Sequence, residues 1–100
     1  MLTIRKTAEG EKLTFCLSGR LDAHGAQQLQ EELKRALANT TELIFDMEQL
    51  SYISSDGLRV LLMAQKQMNL QGRMRLCSVN ETVMDTLELS GFVDIFYISE

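Results

Sequence analysis

Short apolar runs of strand length alternate along this chain with segments whose apolar residues recur at helical spacing. This alternation predicts helices at 23–38, 56–69 and 81–89, and strands at 2–6, 12–19, 43–45, 74–79 and 93–98. Residues 7–11, which include Gly10, favour an antiparallel hairpin between the first two strands, whereas a helix between two strands favours a parallel crossover. We therefore expect an α/β fold: a small mixed β-sheet with an N-terminal antiparallel hairpin and crossover helices, in the order β-β-α-β-α-β-α-β.

Polar residues and glycines mark the ends of these predicted elements. Asp22 and Asn80 have side chains that cap helices, and we expect them to precede the first and third helices. Gly72 follows the second helix and suits a left-handed turn. The apolar run at 43–45 is expected in a central strand that is covered on both faces.

Composition limits the classes of protein that this chain can represent. Its 100 residues and 45% hydrophobic content suit a single domain, 1–100. The net charge of −4, without a cluster of Lys or Arg, argues against a nucleic-acid partner. No apolar run approaches the roughly 20 residues of a membrane-spanning helix, and the first residues lack the apolar core of a signal peptide. Cys16 and Cys77 are interpreted as reduced core cysteines. A cytoplasmic protein without membrane insertion is expected.

Few residues are suited to catalysis or metal binding. His24 is the only histidine, and two separated cysteines do not complete a metal site, so we expect neither a metal nor a hydrolytic triad. Gly19 and Gly25 match neither nucleotide-binding glycine pattern, and no cofactor is expected. Asp46 is expected at the end of a central strand, where ligand crevices form, but the other residues of a phosphoaspartate receiver are missing. We therefore expect that the protein is not an enzyme.

The turn before the second predicted helix is the most informative segment for function. It brings two hydroxyls, a carboxylate and a glycine together, as Ser54, Ser55, Asp56 and Gly57. A helix N-terminus leaves N–H groups unpaired and carries a partial positive charge, so an anion is favoured there. A serine at this place can cap the helix or accept a phosphate, and the two roles are compatible. Gly57 is interpreted as permitting close approach of a partner or a special backbone angle.

Methionine is frequent in this chain, which contains six of these residues. Most of them fall on or next to apolar spacing and are expected in the core. The part of the second helix that carries Arg59, Met63, Lys66 and Gln67 is instead predicted to form an exposed, adaptable binding surface.

Three motifs, in order along the chain, resemble those of STAS domains. The segment 18–22, Ser-Gly-Arg-Leu-Asp, resembles the G-x-L-D element of that family. Residues 45–58 resemble its D-L-S-x-v-x-[FY]-[ILM]-[DS]-S-[SA]-G-L signature, and 89–92 resemble its closing L-x-x-x-G-[LF]. The resemblance spans nearly the whole chain and implies a bacterial anti-sigma factor antagonist or a close relative.

The resemblance implies a mechanism of partner switching. The unmodified STAS protein binds a serine-kinase anti-sigma factor, which frees the sigma factor, and phosphorylation at the start of the second helix releases the complex. In one branch of the family the acceptor serine immediately precedes the glycine, where this chain has Asp56; in others it stands one residue earlier, at Ser55. Ser55 is therefore the expected acceptor, Ser54 the alternative, and plain capping stays open. The expected partner-binding residues are Asp22, Tyr52, Ser54, Ser55, Asp56, Gly57, Arg59 and Met63.

Two further expectations follow from departures from the family pattern. Asp56 in place of the usual acceptor leaves open a non-phosphorylated STAS scaffold, or a regulatory subunit of a stress-signalling or lipid-transport complex. Larger members continue into a C-terminal helix, whereas this sequence ends at Glu100. Uncovered edges and apolar patches favour association, so we expect a homodimer or a helix supplied by a partner.

Overall fold

A computed structural model describes residues 1–99 and shows five strands in one sheet, in the order β1-β2-β3-β4-β5. The β1–β2 pair is antiparallel, and every other neighbouring pair is parallel. The predicted fold class and element order are therefore confirmed. The strands are β1 (Leu2–Glu9), β2 (Lys12–Leu21), β3 (Glu42–Ile53), β4 (Arg73–Cys77) and β5 (Ile98–Ser99), and the helices are α1 (Ala23–Ala36), α2 (Ser55–Gln71) and α3 (Glu81–Leu89).

All three helices cover the same face of the sheet. In β2, Leu13, Phe15 and Leu17 are buried, whereas the residues between them are only half-buried. A single apolar cluster joins these three side chains to the buried residues of α1, α2 and α3. Within it, the rings of Phe15 and Phe45 stack at 5.6 Å between centroids. The opposite face carries no helix among the described residues.

The prediction that Leu43-Ile44-Phe45 lies in a strand covered on both faces is wrong. Ile44 is buried but lies outside the apolar cluster that contains its two neighbours. Side chains alternate along a strand, so one residue in a run of three must point to the opposite face. Thr14 and Arg75 flank Ile44 in register on that helix-free face.

The helix-free face also corrects the interpretation of the cysteines. Cys16 and Cys77 are free thiols, but both are half-buried rather than in the core. They lie in register on either side of Asp46, which sits inside β3 and not at its end as predicted. Burial raises the pKa of the Cys16 thiol, and the charge of Asp46 and the hydrogen bond to it at 3.8 Å raise it further.

The central strand is longer than the sequence predicts and brings the two helix starts together. Predicted to end at residue 45, β3 continues to Ile53 alongside the last part of β2, with two irregularities in register. These irregularities break the alternation of apolar and polar residues that identifies a strand, so the extension has no clear sequence pattern. As a result, Ile53 pairs with Leu21, the last residue of β2.

Two predictions near the ends of elements are also wrong. The strand predicted at 93–98 is mostly irregular: its first two residues belong to a 3₁₀ turn at Phe92–Asp94, and only Ile98–Ser99 pairs with β4. The apolar residues in this region pack locally, with the rings of Phe92 and Phe96 at 6.0 Å. Gly72 has φ of 173°, an extended conformation, and not the predicted left-handed one. It is required because a side chain there would overlap the backbone carbonyl of Thr41.

Candidate functional site

Two helices begin side by side at the ends of β2 and β3. Leu21 and Ile53 are paired at the ends of β2 and β3, and each is followed by a helix cap. Asp22 follows Leu21 and caps α1, and Ser54 follows Ile53 and caps α2. The backbone N–H of Ser54 donates a hydrogen bond of 2.9 Å to the carbonyl of Leu21, which ties the two segments together. Two helix N-termini, each with its partial positive charge, therefore face the same end of the sheet.

Asp22 is the N-cap of α1, as predicted. Its carboxylate accepts a hydrogen bond of 2.9 Å from the backbone N–H of Gly25. This bond holds the pKa of the Asp22 carboxyl below its usual value, with a smaller contribution from nearby positive charges. Asp22 is thus a fixed negative charge beside the start of α2.

The two serines of the turn occupy different positions. Ser54 is the N-cap of α2: its half-buried hydroxyl oxygen accepts a hydrogen bond of 3.2 Å from the backbone N–H of Gly57. Ser55 is the first residue of the helix and is exposed. Among the described residues, its hydroxyl has no hydrogen-bond partner. The structure therefore distinguishes a serine that caps α2 from a serine that is exposed in its first turn.

The carboxylate of Asp56 is paired within its own helix. The Arg59 guanidinium donates a hydrogen bond of 3.2 Å to Asp56, one turn further along α2. Both side chains remain partly open to solvent, so this ion pair contributes little to stability. The Arg59 guanidinium nevertheless balances the negative charge of Asp56, the residue before Gly57.

Gly57 allows a close approach, but inside the chain. A Cβ atom at this buried position would lie 2.7 Å from Cγ and 2.9 Å from the carbonyl oxygen of Leu21. The absence of a side chain lets the first turn of α2 pack onto the end of β2. The sequence suggested a special backbone angle or close approach of a partner at Gly57. The residue has no positive φ and is buried, so neither interpretation describes it.

Tyr52 lies at the end of β3 and is 38% exposed. Its ring stacks under the guanidinium of Arg20, which lies 4.2 Å from the ring centroid. The two residues face each other in the β2–β3 register. Arg20 was not among the predicted site residues, because the sequence places neither residue in a strand. This cation–π pair borders the turn with an exposed positive charge.

A shallow groove between α1 and α2 extends from the turn. Its nearer part, about 170 Å³, is lined by Asp56, Arg59 and Met63 from α2 and by small and amide residues of α1. A narrower apolar part continues along the same helices and shares Val60 and Met63. Met63 is 45% exposed, in agreement with the predicted surface position. The structure thus brings these three predicted residues into one groove, whereas Tyr52 lies on the neighbouring strand.

The remaining candidates do not form a second site. His24 is exposed in the first turn of α1. Within residues 1–99, no three His, Cys, Asp or Glu side chains are grouped so that they could hold a metal ion. None of the helices described is long and apolar enough to cross a membrane.

The fold and the turn together define a class: small α/β domains with a mixed sheet, helices on one face, and a serine-containing helix start exposed beside a second helix. The family profile of the STAS domain matches residues 3–100. This chain belongs to the STAS domain family.

Several proteins are similar to this chain. BtrV of Bordetella bronchiseptica, a candidate anti-sigma factor antagonist, is 37% identical over 89 residues, which cover 87% of this chain and 77% of BtrV. The anti-sigma F factor antagonist of Paenibacillus polymyxa is 31% identical over 85 residues, covering 82% and 73% of the two chains.

The solved structures of the anti-sigma factor antagonist SpoIIAA share the fold. The unphosphorylated form has a TM-score of 0.82 at 22% identity, covering all of this chain and 89% of SpoIIAA. The phosphorylated form of the Bacillus protein has a TM-score of 0.75 at 21% identity, covering all of this chain and 92% of SpoIIAA.

Proposed function

We propose that this chain is an anti-sigma factor antagonist, a single STAS domain that binds a serine-kinase anti-sigma factor and so frees a sigma factor. The observation that carries the proposal is the free, exposed hydroxyl of Ser55 at the first turn of α2, in a chain whose relatives bear that name. Because a sigma factor works on RNA polymerase, the proposal implies a cytoplasmic location. The chain itself supplies the docking surface, and the chemistry belongs to the kinase.

The proposed docking surface consists of the turn and the groove between α1 and α2. Met63 offers an exposed apolar side chain in the middle of the groove, and Arg59 a charge at its nearer part. Methionine and arginine are both enriched at protein interfaces relative to the rest of the surface. Tyr52, Ser55 and Asp22 border the same end of the domain.

Ser55 is proposed as the phosphoacceptor. Its hydroxyl is free, whereas the Ser54 hydroxyl already accepts the Gly57 N–H and is half-buried. A phosphate on Ser55 would stand at the positive end of α2, where helix N–H groups lack intrahelical partners. Phosphorylation at this place therefore does not require unfolding of the turn.

Phosphorylation would act as a switch through charge. It adds about −1.5 to −2 charges at pH 7. The fixed charge of Asp22 and the paired charge of Asp56 lie at the same end of the domain, and the charge of Asp56 is already balanced by Arg59. Arg59 is therefore already engaged by Asp56, and a phosphate on Ser55 makes this end of the domain more negative. Like charges in a close-packed interface cost several kcal/mol, and each 1.4 kcal/mol is a tenfold loss of affinity.

Binding to a purified serine-kinase anti-sigma factor tests the docking surface. We expect Met63→Ala and Arg59→Ala each to weaken the complex about tenfold in calorimetry, a loss of about 1.4 kcal/mol that exceeds the effect of truncating most interface residues. The matched control is Arg73→Ala, an exposed arginine at the start of β4. Equal affinity of all three variants would contradict the proposed surface, and no complex with any anti-sigma factor would contradict the function.

One observation favours a second candidate function. Asp56 occupies the position where one branch of the family has its acceptor serine, and its charge is held by Arg59. A STAS domain with this fixed arrangement would also suit a non-phosphorylated scaffold or regulatory subunit. A stable assembly that forms in the presence of ATP and kinase, without any phosphate on the chain, would support this alternative.

A further inference from the structure

The outer edge of the N-terminal hairpin is an exposed strand. β1 is 8 residues long and lies at one end of the sheet, so its outer backbone groups have no neighbouring strand. From Arg5 to Glu9 every residue of β1 is exposed. A long exposed edge is a template for pairing with another chain.

β1 lacks two features that commonly block such pairing, a proline and a β-bulge. The chain contains no proline, and the register from Leu2 to Glu9 runs without a bulge against β2. An inward-pointing lysine such as Lys6 is another common protection, but here its charge is already paired with Glu32 of α1 at 2.6 Å. The charges left along the other face of this edge are Arg5 and Glu9.

The order of these charges favours one self-pairing. Two copies of β1 form one continuous antiparallel sheet when a two-fold axis perpendicular to the sheet passes between the two copies of one residue. Residues equally far before and after that residue then face each other across the interface. An axis at Arg5 or at Lys6 would place like charges directly opposite. An axis at Thr7 places Arg5 opposite Glu9 of the partner subunit, twice by symmetry.

The neighbouring rows extend this complementarity. In the β1–β2 register, Thr7 pairs with Thr14, Arg5 with Cys16 and Glu9 with Lys12. With the axis at Thr7, four threonines form the central row across both subunits. In each flanking row, Glu9 lies between its own Lys12 and the partner's Arg5. Threonine pairs and opposite charges are both favourable across strands.

We propose that two copies of this chain associate through β1, in antiparallel register about Thr7, to form one continuous sheet. The contact goes beyond the proposed partner binding and does not depend on it, since Ser55 and the α1–α2 groove are not part of the edge. A single strand pair buries little area, so the dimer is expected to be weak, with a Kd in the micromolar range or higher.

Charge reversal tests this register. The variant Arg5→Glu places carboxylates opposite each other, and Glu9→Arg does the same with guanidinium groups. Each should raise the dimer Kd at least about tenfold in sedimentation equilibrium. The double variant, Arg5→Glu with Glu9→Arg, restores opposite charges and should return the Kd to the original value. An equimolar mixture of the two single variants should form a heterodimer, because each carboxylate then faces a guanidinium group.

The control is Lys66→Glu, which changes the net charge as Arg5→Glu does but is exposed on α2, away from β1. Both Arg5 and Glu9 are exposed, and unchanged thermal unfolding of each variant confirms that it is folded. The proposal is overturned if the unmodified chain is a monomer at about 1 mM, beyond the range of weak specific interfaces. It is also overturned if the dimer is indifferent to Arg5→Glu, or if the double variant fails to restore it.

Discussion

The different positions of Ser54 and Ser55 predict different effects of removing each hydroxyl. Ser54→Ala removes the acceptor for the Gly57 N–H at 3.2 Å and leaves that group without its cap. Loss of an N-cap typically costs about 0.5–2 kcal/mol. Because this bond is at the long end of the normal range and half-buried, we expect about 1 kcal/mol. Ser55→Ala removes an exposed hydroxyl without a partner and should change stability by less than about 0.5 kcal/mol.

Urea and thermal unfolding of the two variants measure this difference. For a domain of this size, about 1 kcal/mol lowers Tm by roughly 4–8 °C. Ser54→Asp is the matched control, because a carboxylate also caps a helix and favours its N-terminus. Its stability should remain close to that of the unmodified chain. If Ser55→Ala is as destabilising as Ser54→Ala, or if Ser54→Ala costs nothing, the assignment of the two roles is refuted.

Three further predictions concern single residues, one of them in the site and two elsewhere in the fold. Gly72→Ala should destabilise the domain by about 3 kcal/mol or more in urea unfolding, because its Cβ overlaps the Thr41 carbonyl. The lowered pKa of Asp22 contributes stability that is present above the unfolded value of about 4 and is lost as the pH falls through the folded pKa. Asp22→Asn keeps an acceptor for the cap, so unfolding between neutral and acidic pH should show a smaller pH dependence than in the unmodified chain. Burial and Asp46 raise the pKa of Cys16, so Asp46→Asn should speed its alkylation at neutral pH, followed by mass spectrometry.

The elements with regular local patterns could be predicted from the sequence. The hairpin around Gly10, the parallel crossovers and the caps Asp22 and Asn80 all agree with the structure. Each of these depends on short-range spacing or on a side chain that bonds its own helix. Such signals are present in the sequence itself.

The errors arose where long-range packing decides the outcome. The extension of β3 to Ile53 depends on β2, which pairs with it through two register irregularities. Apolar residues near 93–98 resemble a strand, but they pack as a turn in which Phe92 and Phe96 meet. Cys16 is only half-buried because it lies on the helix-free face of the sheet, and the sequence pattern of a helix does not reveal which face of the sheet it covers.

The composition of the turn was evident from the sequence, but its geometry was not. The family resemblance favoured Ser55 over Ser54 as the acceptor, but either serine could have capped α2 until the structure identified Ser54 as the cap. The closeness of Gly57 to Leu21 also depends on the end of β2, which is distant along the chain. Arg20 was missed because its contact with Tyr52 follows from the same strand pairing.

Intact-mass spectrometry tests the central claim most directly. The chain, Ser54→Ala and Ser55→Ala would each be incubated with ATP and the serine-kinase anti-sigma factor encoded nearest to it. We predict a single added phosphate on the unmodified chain and on Ser54→Ala, and none on Ser55→Ala. Full phosphorylation of Ser55→Ala would contradict the assignment of the acceptor. No phosphate on any of the three, under conditions where the kinase is active, would contradict the phosphorylation switch itself.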